Sequence, residues 1–129
     1  MQYYFSGKDD VEIEKKEYYL GYIPEGYEEV ERYENKSEIM IVYSNSEGKL
    51  LDLFYMDSSS NAHMFLNQTD AEKATVSGNS ADFYESEDEE VSNDLVWIDE
   101  ENGMLFSVSG FFSKEELIRI AESIQEREK

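Results

Sequence analysis

The chain has 129 residues with 31 acidic and 11 basic side chains, a formal net charge of −20. A field of that sign repels phosphate backbones and anionic head groups, which argues against nucleic acid as a partner and against direct contact with anionic lipid. With 40% apolar and 14% aromatic residues and no cysteine, the composition fits one ordered domain and excludes disulfides, thiolate metal sites and a cysteine nucleophile.

The opening Met1-Gln2-Tyr3-Tyr4-Phe5-Ser6-Gly7 has no basic stretch and no long apolar run, so it does not read as a signal peptide. No run of 18 apolar residues occurs anywhere in the chain. The expectation is a cytosolic protein or a piece of a longer one. Val11-Glu12-Ile13-Glu14 alternates and predicts a short strand. Pro24-Glu25-Gly26 predicts a turn between segments 18–23 and 27–33. Ile39 to Tyr43 is β-branched and aromatic, hence a strand. Asn45-Ser46-Glu47-Gly48 then predicts a turn, with residues 49–56 returning as its hairpin partner.

Residues 62–66 are ambiguous and are taken as a possible further strand. Gly78-Asn79 predicts the turn of a second hairpin between residues 73–77 and 80–85. An acidic loop follows, from Glu85 to Asp94. A third hairpin is expected from residues 95–99 and 104–110 around Glu100-Glu101-Asn102-Gly103. Ser113 with Glu116 three residues on is a capping-box spacing. Leu117, Ile120, Ala121 and Ile124 then form one apolar stripe, which predicts a helix of about 14 residues. The expected fold is α+β: a curled antiparallel sheet of successive hairpins with one C-terminal amphipathic helix packed on it.

The chemical motifs are weak. His63 has no second His or Cys to share a metal, so no metal site is expected. Asp99 to Gly103 resembles a calcium-loop opening, but its twelfth position is Gly110 where a bidentate Glu is needed, and the hairpin turn is the better reading. The acidic run Glu85–Glu90 reads as a solvated loop. Ser46-Glu47-Gly48-Lys49 has an acylating-pair spacing without the partner motifs that chemistry needs. No nucleophile elbow and no glycine-rich phosphate loop occur. The expectation is therefore no catalytic residue and no cofactor. The ten tyrosines read as ordinary strand residues, with a stacking platform for sugar or peptide as the alternative.

Two stretches carry a family resemblance. Tyr19-Leu20-Gly21-Tyr22-Ile23-Pro24-Glu25-Gly26-Tyr27-Glu28-Glu29-Val30 resembles the opening of a bacterial domain of unknown function, family 4367. Val76 to Ala81, Leu95 to Asp99, Phe106 to Gly110 and Ser113 to Ile124 resemble its second half. Members of that family look like outer, C-terminal domains of membrane-anchored bacterial proteins, some with anti-sigma-factor-like N-terminal parts. The resemblance implies an extracytoplasmic domain whose membrane contact lies in an N-terminal anchor. It brings no catalytic residues.

The leading functional expectation is a non-catalytic extracytoplasmic sensing or protein-interaction domain. The alternative is a carrier holding a lipid or other apolar, cell-envelope ligand against the curved sheet, and an enzyme ranks third. Several strands are apolar on both faces, and one helix covers only one of them. Either the sheet curls or residues 1–35 fold back over the second face, or part of that face stays open as a groove. Trp97, Phe54 and Met56 are the candidate lining residues of such a groove.

Overall fold

The computed structural model describes residues 17–35, 38–57, 71–88 and 91–127. The expected strands at residues 11–14 and 62–66, His63, and Glu89 and Glu90 of the acidic run lie outside them. Among the described residues there are nine strands: β1 (Glu17–Leu20), β2 (Glu28–Glu34), β3 (Glu38–Ser44), β4 (Leu50–Asp57), β5 (Glu72–Val76), β6 (Asn79–Tyr84), β7 (Asn93–Asp99), β8 (Met104–Gly110) and β9 (Ile124–Arg127). One helix, α1 (Lys114–Glu122), precedes β9.

Seven strands form an open antiparallel sheet in the order β2-β3-β4-β8-β7-β6-β5. Both predicted central hairpins are present, and their turns explain themselves chemically. The Asn45 side-chain carbonyl accepts the N–H groups of Glu47 and Lys49 at 3.0 and 2.9 Å. The Asp99 carboxylate does the same for Glu101 and Asn102. Side chains of this type favour turns because they replace missing backbone partners. The hairpin between β5 and β6 turns one residue earlier than expected. Its register closes at Val76 opposite Asn79, so Ser77 and Gly78 are the central pair. Both have positive φ, 50° and 88°, as the twist of a two-residue hairpin requires. The Ser77 N–H donates to the Glu122 carboxylate at 3.0 Å, which ties this turn to α1.

One sheet face carries the main core. Ile39, Ile41 and Tyr43 of β3, Leu51, Leu53 and Tyr55 of β4, Leu95 and Trp97 of β7, and Phe106 and Val108 of β8 meet Leu117, Ile120 and Ala121 of α1. The helix starts as the capping spacing predicts, with the Ser113 hydroxyl accepting the Glu116 N–H at 3.2 Å. The Glu116 carboxylate does not close the box. It accepts the Tyr22 hydroxyl at 2.6 Å instead. Lys114 Nζ lashes the same end to β5 through the Glu72 carboxylate at 2.7 Å and the Lys73 carbonyl at 3.0 Å.

The helix is shorter than expected, nine residues and not about 14, because it stops at Ser123. There the hydroxyl and the N–H both donate to the Ile120 carbonyl. Ile124 then leaves the helical stripe for β9, which pairs antiparallel with β1. Segments 18–23 and 27–33 thus flank a turn, closed by the Tyr27 N–H on the Pro24 carbonyl at 3.2 Å, and go to different partners. β1 and β9 complete the layer over the core, Tyr18 and Leu20 both being part of it. The Gly21 N–H donates to the Ser123 carbonyl at 2.9 Å. A Cβ at Gly21 would stand 2.7 Å from that same oxygen, so the approach of the two strands requires glycine here.

Ile120 is fully buried between helix and sheet. Replacing it with Ala should cost about 2–5 kcal/mol, the usual range for a large apolar side chain with little room to collapse. Denaturant unfolding with an unchanged m-value would register the loss.

Candidate functional site

Strand registers lay out the second sheet face row by row. Phe54 on β4 lies opposite Ser107 on β8, and Ser107 opposite Val96 on β7. One row on, Met56 pairs with Leu105 and Leu105 with Ile98. In the other direction Asp52 pairs with Ser109 and Ser109 with Asp94. This face is therefore apolar at one end and acidic at the other.

The three expected groove residues do not come together. Trp97 lies on the opposite face, in the main core and stacked on Phe106 at 5.4 Å. Phe54 and Met56 do share the second face, in a cluster with Val96, Leu105 and Ile98. Within that cluster Met56, Val96 and Leu105 are buried and Phe54 is half-buried. Alternation along each strand is as the sequence predicts. The error lies between strands: pairing through β8 sets Trp97 level with Phe106, and Phe54 level with Ser107.

Among the described residues, the acidic end holds the one carboxylate whose pKa is clearly displaced, Asp52. Asp52 Oδ1 is buried without a hydrogen-bond partner. Burial, and secondarily the charge of Asp94, push its pKa above the ordinary aspartate value. With Glu47, Leu50, Val91, Ser92 and Phe111, Asp52 borders a basin of about 640 Å³. Lys49 sits there over the Phe111 ring, 4.5 Å from its centroid. Asp82, also buried on this face, is paired with Lys73 at 3.1 Å. Among the described residues no group of three His, Asp or Glu side chains is placed to hold a metal ion.

The sheet edge at β2 was not singled out from the sequence. Every residue of β2 is exposed, with Val30 at 51% and Tyr33 at 54%. Among the described residues its outer side has no neighbouring strand. The register shifts between Glu29 and Glu31, so Val30 stands in a bulge, a common feature of edges. Arg32 bridges Glu29 at 3.6 Å and Glu34 at 3.3 Å. A signal was present in the sequence: Glu28-Glu29-Val30-Glu31-Arg32-Tyr33-Glu34 is charged at both parities, and a strand with charges on both faces is at home only on an edge.

These features define an acidic α+β domain built on an open antiparallel sheet. The chain belongs to the domain of unknown function family DUF4367, whose model matches residues 17–124. No curated protein and no solved structure matches it.

The Asp52 environment has a pH signature. A raised carboxyl pKa means the folded chain holds that proton more tightly than the unfolded chain. The stability contributed by the proton is full below about pH 4, the ordinary aspartate range, and is lost as pH rises through the folded value. Asp52→Asn removes the charge, so it should raise Tm at pH 7. The gain should shrink as pH falls through the raised folded-state value, because wild-type Asp52 then takes up its own proton. Thermal melts of both proteins across pH 3–8 check this.

Proposed function

We propose that this domain is a non-catalytic sensing and protein-interaction module, displayed outside the cytoplasm on a membrane-anchored bacterial protein, and that its partner engages edge strand β2. The carrying observation is the edge itself. β2 is exposed along its whole length, and among the described residues no strand occupies its outer side. An open edge offers backbone donors and acceptors in register for an added strand, with pockets or charges beside it giving specificity. Glu28, Glu29, Glu31 and Glu34 set that specificity. They repel a second copy of this acidic chain and favour a basic segment.

The extracytoplasmic placement rests on the family resemblance alone. The carrier reading has less support, because an apolar ligand needs an accessible trough and most of the second-face cluster is buried.

Photo-crosslinking residues placed at Val30 and Tyr33, with Val91 as an exposed control away from β2, test the edge in bacterial cells carrying the gene. A discrete protein adduct should form from the β2 positions and not from Val91. It should disappear when Glu29 and Glu31 are both changed to Lys, with Tm within a few degrees of wild type because surface substitutions cost little. Equal adducts at Val91, or none at either β2 position, would remove the edge from the proposal.

A further inference from the structure

A second feature is independent of the β2 edge. Between the β1–β9 pair, the β5–β6 turn and the β7–β8 hairpin lies a cavity of about 160 Å³. Tyr18 lines it. Its side chain is only 4% exposed, and its hydroxyl has no hydrogen-bond partner. A buried hydroxyl left unpaired costs free energy, so its placement beside a cavity points to a ligand atom. The apolar wall is aromatic. Trp97 and Phe106 stack with their planes 19° apart, and Tyr18 meets Phe106 edge-on at 5.0 Å.

The polar wall is acidic. Glu126 stands opposite Tyr18 in the β1–β9 register, so both side chains project to the same side of that pair. Glu126 is exposed at the mouth while Tyr18 is buried. Asp99 is held in place by the N–H groups of Glu101 and Asn102 and by the Asn102 amide. Among the described residues, none that lines the cavity is lysine or arginine. Burial, with the charges of Glu126 and Asp99 adding to it, pushes the Tyr18 phenol up to about 12. The hydroxyl thus stays protonated and neutral at physiological pH, and its oxygen can still accept a hydrogen bond.

We infer that this cavity is a binding site for a primary ammonium group carried on a short apolar chain. The ammonium has three donors, for the Tyr18 oxygen and the acidic wall. Its charge is drawn by Asp99 and Glu126 and by the aromatic faces. An anion meets two carboxylates and a chain of net charge −20. The size fits, since a cavity of about 150 Å³ holds a benzene-sized molecule. Two sources share this chemistry, a free alkylamine and the side chain of a lysine in a peptide.

Titration of the 129-residue chain, followed by amide and indole NMR shifts, tests the site. The probes are n-butylammonium, an end-blocked Gly-Lys-Gly peptide, n-butanol and butyrate. One or both amines should give saturable shifts centred on Tyr18, Trp97 and Glu126, and whichever binds more tightly identifies the source. Butanol and butyrate should give none. Tyr18→Phe, which keeps the ring and removes only the unpartnered hydroxyl, should weaken amine binding about tenfold, the weight of one hydrogen bond to a charged group. Its Tm should equal or exceed the wild-type value. Glu126→Gln, at an exposed position, should weaken binding several-fold. The inference is overturned if neither amine saturates, if butyrate or butanol binds as tightly as the amines, or if both variants bind like wild type.

Discussion

The architecture turns on the pairing of β4 with β8. These strands are distant in sequence, and their ladder from Leu51 opposite Gly110 to Asp57 opposite Met104 joins two blocks of hairpins into one sheet. Leu51, Leu53 and Val108 are fully buried along it. At Gly110 the fit is close enough that a Cβ would stand 2.8 Å from the Phe112 ring and 3.2 Å from Leu51. Without this ladder β4 and β8 would each be an edge, with a row of unpaired backbone groups open to pairing with another chain. With it, one continuous apolar face exists on which α1 and the β1–β9 pair can dock.

That docking sets the chemistry available elsewhere. Tyr18 reaches the core because its N–H donates to the Tyr55 hydroxyl at 3.2 Å and its ring meets Tyr55 and Phe106 edge-on. The same placement makes Tyr18 part of the wall of the cavity bordered by Asp99 and Glu126. The second face has no helix of the described residues packed on it. It balances a buried apolar cluster at one end against Asp52 and Asp94 at the other. Asp52 is held there against its own desolvation. The strong negative charge is thus unevenly spent: on β2 it guards an edge, beside Tyr18 it borders a cavity, and at Asp52 it is a local cost.

The features legible in the sequence were those in which a few neighbouring residues decide the structure. Asn45 and Asp99 build their own turns from side-chain carbonyls within three or four residues. Ser113 caps its own helix. Strand parity was equally legible, since alternation is a property of one strand: Leu95 and Trp97 do oppose Val96, and Leu53 and Tyr55 do oppose Phe54. The motifs shared with the family are of this local kind, which is why they were recognisable without a structure.

What the sequence by itself determined is therefore the three hairpins, the helix start and the α+β class. The tertiary structure decided which strands meet and at what level. It placed Trp97 and Phe54 on opposite faces, because both register through β8 and no residue near either one encodes that offset. It ended the helix at Ser123, because Ile124 is bound by β1, which lies about a hundred residues away in sequence. It brought Tyr18 beside Trp97, Asp99 and Glu126. Turns and caps depend on hydrogen bonds closed within a single turn of chain, whereas strand pairing depends on burying apolar surface from remote segments together. Local pattern therefore carries the first kind of information and only the folded chain carries the second.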